Sequence, residues 1–262
     1  MNVQYGFLVE SALLTHGLLG ISNEEMLTTW PEDIKNIAWM DNGEIVIGSM
    51  AEFIEFRKRA ADYKRVNRGN FQECVDNRLS GALTASGTME VCRRMGIGIA
   101  VTCGMGGFSK GAAEESCADL DALAEIPVVL IATSPKDMLD VRGSLEWLYE
   151  HGVTVTGVCS ENCTGYLFCS TDVALDGGSA EPDKIVVEAP MLILQKIPEE
   201  KRIVDMMILE RAIEKGKMAE AEGKYFHPAV NGEIDRLTSG YSARIQLDSI
   251  IENAQLAEKL GR

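Results

Sequence analysis

Residues 96–133 read GIGIAVTCGMGGFSKGAAEESCADLDALAEIPVVLIAT. Gly96–Cys103 is apolar at nearly every position and predicts a buried strand. Gly104–Gly111 (GMGGFSKG) is a Gly-rich loop, Ala112–Glu125 predicts a helix with Leu120, Leu123 and Ala124 on its apolar side, and Pro127–Thr133 (PVVLIAT) predicts a second buried strand. Strand, loop, helix and strand at these lengths make a βαβ unit. Strands apolar on both faces belong to a parallel sheet covered on both sides. The expected fold class is therefore α/β: a three-layer α/β/α arrangement with a largely parallel central sheet, in a single domain over residues 1–262.

Outward from this block the same alternation continues. Gly6–Glu10, Glu44–Ser49, Val153–Val158 and Lys184–Gln195 predict strands. Asn23–Leu27, Ala51–Tyr63, Ser80–Met95, Lys136–His151, Glu199–Gly223 and Ala243–Leu260 predict helices. Gly152 is expected as a helix C-cap, and Pro135 is placed to open the helix that follows it. Leu175–Asp183 reads as a loop, and no internal repeat is present.

The chain has 262 residues, 46% hydrophobic and 25% charged, which is an ordinary globular composition long enough for a sizeable core. Its 40 acidic against 25 basic residues leave a net charge of −15. With no Lys/Arg cluster to set against that charge, wrapping duplex DNA or coating an anionic membrane is disfavoured. Any phosphate site must be built locally. Seven cysteines without paired metal-ligand spacing, and three histidines, fit a reducing compartment rather than a disulfide framework or a zinc site. No apolar stretch is long enough to span a membrane and the N-terminus lacks a signal-peptide pattern, so the expected location is cytoplasmic.

In open parallel sheets, ligands sit beyond the carboxyl ends of the strands. Three polar features fall there: Glu10, the 104–111 loop and Lys136. Gly104, Gly106, Gly107 and Gly111 allow backbone N–H groups to approach a ligand, with Ser109 and Lys110 adding a hydroxyl and a cation. That suits a phosphate, although a Gly-rich turn taken alone is more often only a tight turn. It is neither a P-loop nor a dinucleotide fingerprint. Lys136 is either a solvated surface cation or a partly desolvated amine able to attack an electrophilic carbon. Glu10 is either a cap or a general acid/base. Glu114, Glu115 and Asp119 either complement a helix dipole or bind a hard cation.

Several stretches together resemble the pseudouridine-5′-phosphate glycosidase family, which includes the indigoidine-synthase-A-like proteins. Val9-Glu10-Ser11 with Leu14-Thr15-His16-Gly17 resembles its ESTxxxHG segment. Gly81-Ala82 through Thr88-Met89 resembles NGATTVASTM. Thr102-Cys103-Gly104-Met105-Gly106-Gly107 resembles TGGIGG, Ala118-Asp119-Leu120 with Leu123-Ala124 resembles ISADLxELA, and Pro135-Lys136-Asp137-Met138-Leu139-Asp140 resembles AGxKSILD. Asn253-Ala254 with Leu256-Ala257 resembles NNAxLA.

The resemblance implies a C-glycosidase that reversibly cleaves pseudouridine 5′-phosphate to uracil and ribose 5-phosphate. It implies that Lys136 forms an imine with C1′ of the opened ribose, that Glu10 transfers protons, and that Asn253 holds the base. It places substrate and phosphate contacts at Thr88, Thr102, Gly104, Gly106, Gly107, Ser109 and Lys110. It further implies a divalent cation such as manganese, with Glu115 at the metal-ligand position, and a homotrimer acting on a small sugar-phosphate or C-nucleoside substrate. The chain departs from the family pattern where phosphate, metal and base contacts are expected. The family's phosphate-binding lysine aligns with Leu79, leaving the neighbouring Arg78 as the substitute. The alternatives are a Schiff-base lyase or C-glycoside synthase on a different sugar phosphate, and an inactive homologue that only binds such a ligand.

Overall fold

Short apolar runs, each too brief to be stable alone, are joined into one ten-stranded sheet in a computed structural model that describes residues 5–60, 63–110, 117–223 and 226–261. In chain order the first half comprises β1 (Phe7–Val9), a π-helical turn (Leu13–Gly17), α1 (Asn23–Thr29), β2 (Ile37–Asp41), β3 (Glu44–Gly48), α2 (Met50–Arg57), β4 (Lys64–Val66), α3 (Phe71–Asp76), β5 (Gly81–Leu83), α4 (Ala85–Met95) and β6 (Ile99–Val101). Then come β7 (Gly104–Met105), β8 (Phe108–Ser109), α5 (Ala118–Glu125), β9 (Val129–Ala132), β10 (Ser134–Pro135), β11 (Leu139–Asp140) and α6 (Val141–Glu150). The chain closes with β12 (Thr154–Val158), β13 (Asn162–Cys163), β14 (Val173–Ala174), β15 (Ser179–Ala180), β16 (Met191–Leu194), α7 (Met206–Ala221), α8 (Phe226–Leu237) and α9 (Tyr241–Leu260).

The sheet order is β15-β12-β16-β9-β6-β1-β2-β5-β4, with β3 beside β2. Every neighbour from β15 to β2 is parallel, whereas β3 and β5 run antiparallel to β2. Ile37 pairs with Val9 of β1 and Gly48 of β3, while Trp39 pairs with Val46 of β3 and Ala82 of β5. Since a strand has two edges, β1 and β5 share one edge of β2. They run toward each other and their carboxyl ends meet. Ser11 N–H donates to the Leu83 carbonyl at 3.2 Å, and Leu83 N–H donates to Ser11 Oγ at 2.9 Å.

Alternation sends successive strand residues to opposite faces. Phe7, Val9, Val101, Ile131 and Ile193 join one core with α1, α2, α7, α8 and α9. Leu8, Ala100, Leu130 and Leu192 join the other with α3, α4, α5 and α6. The three-layer α/β/α expectation is met. No helix among the described residues is long and apolar enough to cross a membrane.

Several expected boundaries shift. Ser80–Met95 is not one helix: Gly81–Leu83 is β5, and Thr84 caps α4 by accepting from Gly87 N–H at 3.3 Å. The helix expected from Lys136 begins at Val141, capped by Asp140, and Pro135 lies in β10. The helix expected from Glu199 begins at Met206, and β2 and α8 are additions. Gly152 follows α6 with φ of +76°, as a left-handed C-terminal glycine should. The first residues of the helix expected over Ala112–Glu125 lie mostly outside the described residues; the described helix begins at Ala118.

α4 lies unusually close to β4. A Cβ at Gly87 would fall on the carbonyl oxygen of Val66, and neither backbone can yield cheaply. Gly87→Ala is expected to lower stability by about 1–3 kcal/mol, seen as a lower urea midpoint with an unchanged slope.

Candidate active site

The meeting of β1 and β5 brings Glu10 and Thr84 to one place, and β6 and β10 deliver Thr102 and Lys136 beside them. Glu10 is 5% exposed. Its backbone N–H donates to Val101 at 3.0 Å, continuing the β1–β6 ladder one step past the strand. Its Oε1 accepts from Thr102 Oγ1 at 2.9 Å. Thr102 is itself held twice: its N–H donates to Ile131 at 2.9 Å and its carbonyl accepts from Asn253 Nδ2 at 2.8 Å.

Lys136 is half-buried, and its side chain makes no hydrogen bond or ion pair to a described residue. A Cβ on Gly104 would meet the Tyr166 ring at 2.7 Å and Lys136 Cγ at 3.1 Å. Glycine there leaves the lysine stem its path into the pocket. Asp137, which follows, is a loop anchor rather than a helix-start acid. Its buried carboxylate accepts from the N–H groups of Tyr166, Leu167 and Phe168 at 2.8, 2.8 and 3.2 Å, and from Ser170 Oγ at 2.5 Å. Asp119 ties α4 to the Gly-rich loop, with Oδ1 accepting from Ser86 N–H at 2.9 Å and Oδ2 from Gly106 N–H at 2.8 Å. Glu10, Lys136, Asp119, Gly104, Arg65 and Asn231 line a single pocket.

The electrostatics of the two central groups are opposed. Burial raises the Glu10 carboxyl from its ordinary 4.5 to about 7, against the attraction of Lys136 and the Thr102 hydrogen bond. Burial lowers the Lys136 amine, and the charge of Arg65 lowers it further, with Glu10 and Asp119 opposing. Burial thus favours the neutral form of both groups, the acid of Glu10 and the amine of Lys136. His227 of α8 is lowered to about 4 by burial, then by Lys136 and Arg65.

The expected contacts divide. Glu10, Lys136 and Gly104 line the pocket, and Thr102 braces Glu10. Gly106 donates to Asp119, and a Cβ on Gly107 would touch Ser144 Oγ at 2.5 Å, so both serve close packing of the loop. Thr88 spends its hydroxyl on the Thr84 carbonyl at 2.9 Å within α4. Ser109 is exposed in β8, and Lys110 Nζ donates to the Asp137 carbonyl at 3.0 Å. Asn253 is fully buried with its amide nitrogen on Thr102 and Thr133, so it positions the strand ends and leaves only Oδ1 without a partner.

Arg78 does not reach the site. It is exposed in a left-handed turn before β5, at the opposite end of that strand from Thr84. Arg65 of β4 occupies the pocket instead. Arg65 and Asn231 escaped sequence reading, because β4 is only three residues long and the helix that carries Asn231 was not expected. The only sign was the Lys-Arg-Val alternation. Glu114 and Glu115 lie outside the described residues. Among those described, no three His, Cys, Asp or Glu side chains converge as a metal site, and both Asp119 oxygens are engaged by backbone N–H groups. The described residues therefore do not form a metal cradle by themselves.

Comparison with known proteins bears on this arrangement. A family model described as indigoidine synthase A like protein matches residues 8–262. A pseudouridine-5′-phosphate glycosidase of Staphylococcus aureus (strain MW2) is 28% identical, covering 96% of this chain and 89% of its own. The protein of the same name from Petrotoga mobilis is 26% identical, with 97% and 90% covered. A crystal structure of an indigoidine synthase A-like protein from Thermotoga maritima superimposes with a TM-score of 0.78 at 23% identity, covering 98% and 94% of the two chains. The prealnumycin C-glycosynthase AlnA, solved in complex with ribulose 5-phosphate, gives 0.73 at 18% identity, covering 97% and 91%. These two likenesses show the shared fold.

A carboxyl whose native pKa lies above its unfolded value is kept protonated by the fold. The stability it leaves intact below pH 4.5 is lost as pH rises to about 7. Relative to wild type, Glu10→Gln is expected to gain about 1–3 kcal/mol between those limits and to hold that gain at pH 8. Urea titrations across this range check it; a difference independent of pH would contradict the buried, protonated state.

Proposed function

Since the chain belongs to the indigoidine synthase A-like family, we propose that it is a C-glycosidase. In this reading it reversibly cleaves the C–C glycosidic bond of pseudouridine 5′-phosphate, or a related C-nucleoside phosphate, to uracil and ribose 5-phosphate through a Schiff base on Lys136. The supporting observation is one pocket that holds an amine with a lowered pKa beside a carboxyl raised to about 7. The names of the similar proteins point the same way.

The chemistry follows from the bond. A carbon leaving group gains little from simple protonation, so the electrons need a sink. Neutral Lys136 Nζ attacks C1′ as the C1′–O4′ bond breaks, and Glu10 donates its proton to O4′. The C1′ ammonium so formed returns a proton to the Glu10 carboxylate, which later delivers it to C5, and the C1′–C5 bond then breaks. The nitrogen lone pair forms the imine, and the bond electrons leave on uracil, which takes a proton at C5. Water then hydrolyses the imine, releasing ribose 5-phosphate and restoring the amine. Thr102 and Asn253 keep Glu10 in place. The synthetic direction uses the same groups in reverse. The reading also includes a divalent cation, manganese, and a homotrimer; no step above is assigned to the cation.

Borohydride added with ribose 5-phosphate should leave a reduced sugar adduct on Lys136, located by intact mass and peptide mapping. Lys136→Ala should lose the adduct and at least about 10³-fold in turnover; unchanged turnover would overturn the reading. Thr102→Val removes a hydrogen bond that favours the carboxylate, so the Glu10 limb of the kcat/KM profile should move to higher pH.

A further inference from the structure

Tyr166 is 1% exposed and sits in the loop after β13, outside any regular element. The loop is tied from both sides. Asp137 holds the N–H groups of Tyr166, Leu167 and Phe168, while the Leu167 carbonyl accepts from Ile203 N–H at 2.9 Å and the Phe168 carbonyl from Arg202 Nη1 at 3.4 Å. The ring is thereby aimed over Gly104. A Cβ on that glycine would lie 2.7 Å from Tyr166 Cζ and 3.1 Å from Lys136 Cγ, so ring and lysine stem converge on one spot. The hydroxyl end is moored as well. Gln246 Nε2 donates to the Ser242 carbonyl at 3.2 Å, which turns its Oε1, an acceptor only, toward Tyr166. The phenol donates to that oxygen at 3.0 Å. Cys103 Sγ lies 3.0 Å from the same hydroxyl and donates its own proton to the Gln246 carbonyl at 3.5 Å. Burial raises both the phenol and the thiol, the thiol to about 11, so both are uncharged at neutral pH. Their protons are committed to Gln246 and are not offered to the amine.

We propose that Tyr166 is a positioning residue for Lys136: its ring, anchored at the backbone by Asp137 and at the hydroxyl by Gln246 and Cys103, keeps water off one side of the lysine stem and holds the amine on its course into the pocket. A lysine carries a strongly hydrated head on a flexible four-carbon stem. To attack a carbon it must be confined and stripped of part of that water. The titratable and charged groups that act on Lys136 are Glu10 after β1, Arg65 of β4, Cys103 after β6, Asp119 of α5 and His227 of α8. Tyr166 adds no charge to this set, so its contribution is the exclusion of water and the fixing of the stem. Its part in turnover rests on the glycosidase reading; the confinement of the lysine does not.

An NMR pH titration of the full chain, labelled with 13C at lysine Cε, tests it, with the Lys136 resonance identified by its loss in Lys136→Met. The wild-type midpoint should lie below the ordinary 10.5. Tyr166→Ala should raise it by about one pH unit or more, a tenfold change in proton affinity. Where that variant does not fold, Tyr166→Leu, which refills much of the space without the ring, should move it in the same direction. Tyr166→Phe keeps the ring and should hold the midpoint within about 0.3 pH unit of wild type, while the unpaired Gln246 oxygen lowers the urea midpoint. A residue that only supports the fold would lower stability in every variant and leave the Lys136 titration where it is; that result overturns the proposal. A Phe variant shifted as far as Ala or Leu also overturns it, because the hydroxyl and not the ring would then be responsible. In turnover of pseudouridine 5′-phosphate, the ring-deleted variant should lose about tenfold or more in kcat with KM within a few-fold, and Tyr166→Phe should restore kcat. A shifted titration in a protein whose wild type turns over no C-nucleoside phosphate would sink the glycosidase reading and leave the positioning role standing. Turnover with an unmoved titration would do the reverse.

Discussion

Two hydrogen bonds between Ser11 and Leu83 join the parallel and antiparallel parts of the sheet, and the pocket depends on them. β1 and β5 approach along the same edge of β2 from opposite directions. Neither can extend further without colliding, so both chains must leave the sheet at that point. A polar residue leaving one strand end is commonly solvated. Here two ends face each other beneath α8 and the π-helical turn, and Glu10 is enclosed. Its enclosure raises its pKa, and burial lowers that of Lys136. The chemical opposition of the two groups is thus a consequence of where strands stop.

Around this junction the buried polar groups form a braced structure. Asn253 holds the Thr102 carbonyl, Thr102 holds Glu10, and Thr133 bonds Ser249 at 2.5 Å. Asp137 gathers the 165–170 loop, which carries the Tyr166 ring against Gly104 and Lys136. Buried polar atoms are costly when unpaired. Pairing them across α9, β6 and β9 lets carboxylate and amine be withdrawn from water without letting the strand ends drift.

Much of this was legible in the chain. GIGIAVTC and PVVLIAT announce buried parallel strands because apolar side chains occupy both faces, and β6 and β9 lie within them. Glu10, Gly104 and Lys136 stood out as polar or small residues at strand ends, and they line one pocket. Lys136 was expected in a helix and lies in a turn, because β10 and β11 pair with the Gly-rich loop before α6 begins. Asn253, expected at a base, is sunk into the core by α9 and holds the Thr102 carbonyl through its amide nitrogen, a contact the sequence did not announce.

The sequence by itself determined the layered α/β class, the order of its main strands and helices, and the chemical types available at the strand ends. Those follow from local periodicity and from residue chemistry, which act over a few positions. Tertiary structure alone decided which ends meet. Arg65 and Arg78 are similar in sequence, both exposed arginines ahead of the Thr84 cap, yet one lines the pocket and the other lies at the far end of β5. The difference arises from strand direction: β4 and β5 run parallel, so a residue near the end of β4 reaches the site, while a residue before the start of β5 is a strand length away. Pairing direction is set by contacts between residues distant in the chain, and no local pattern in this sequence carries it.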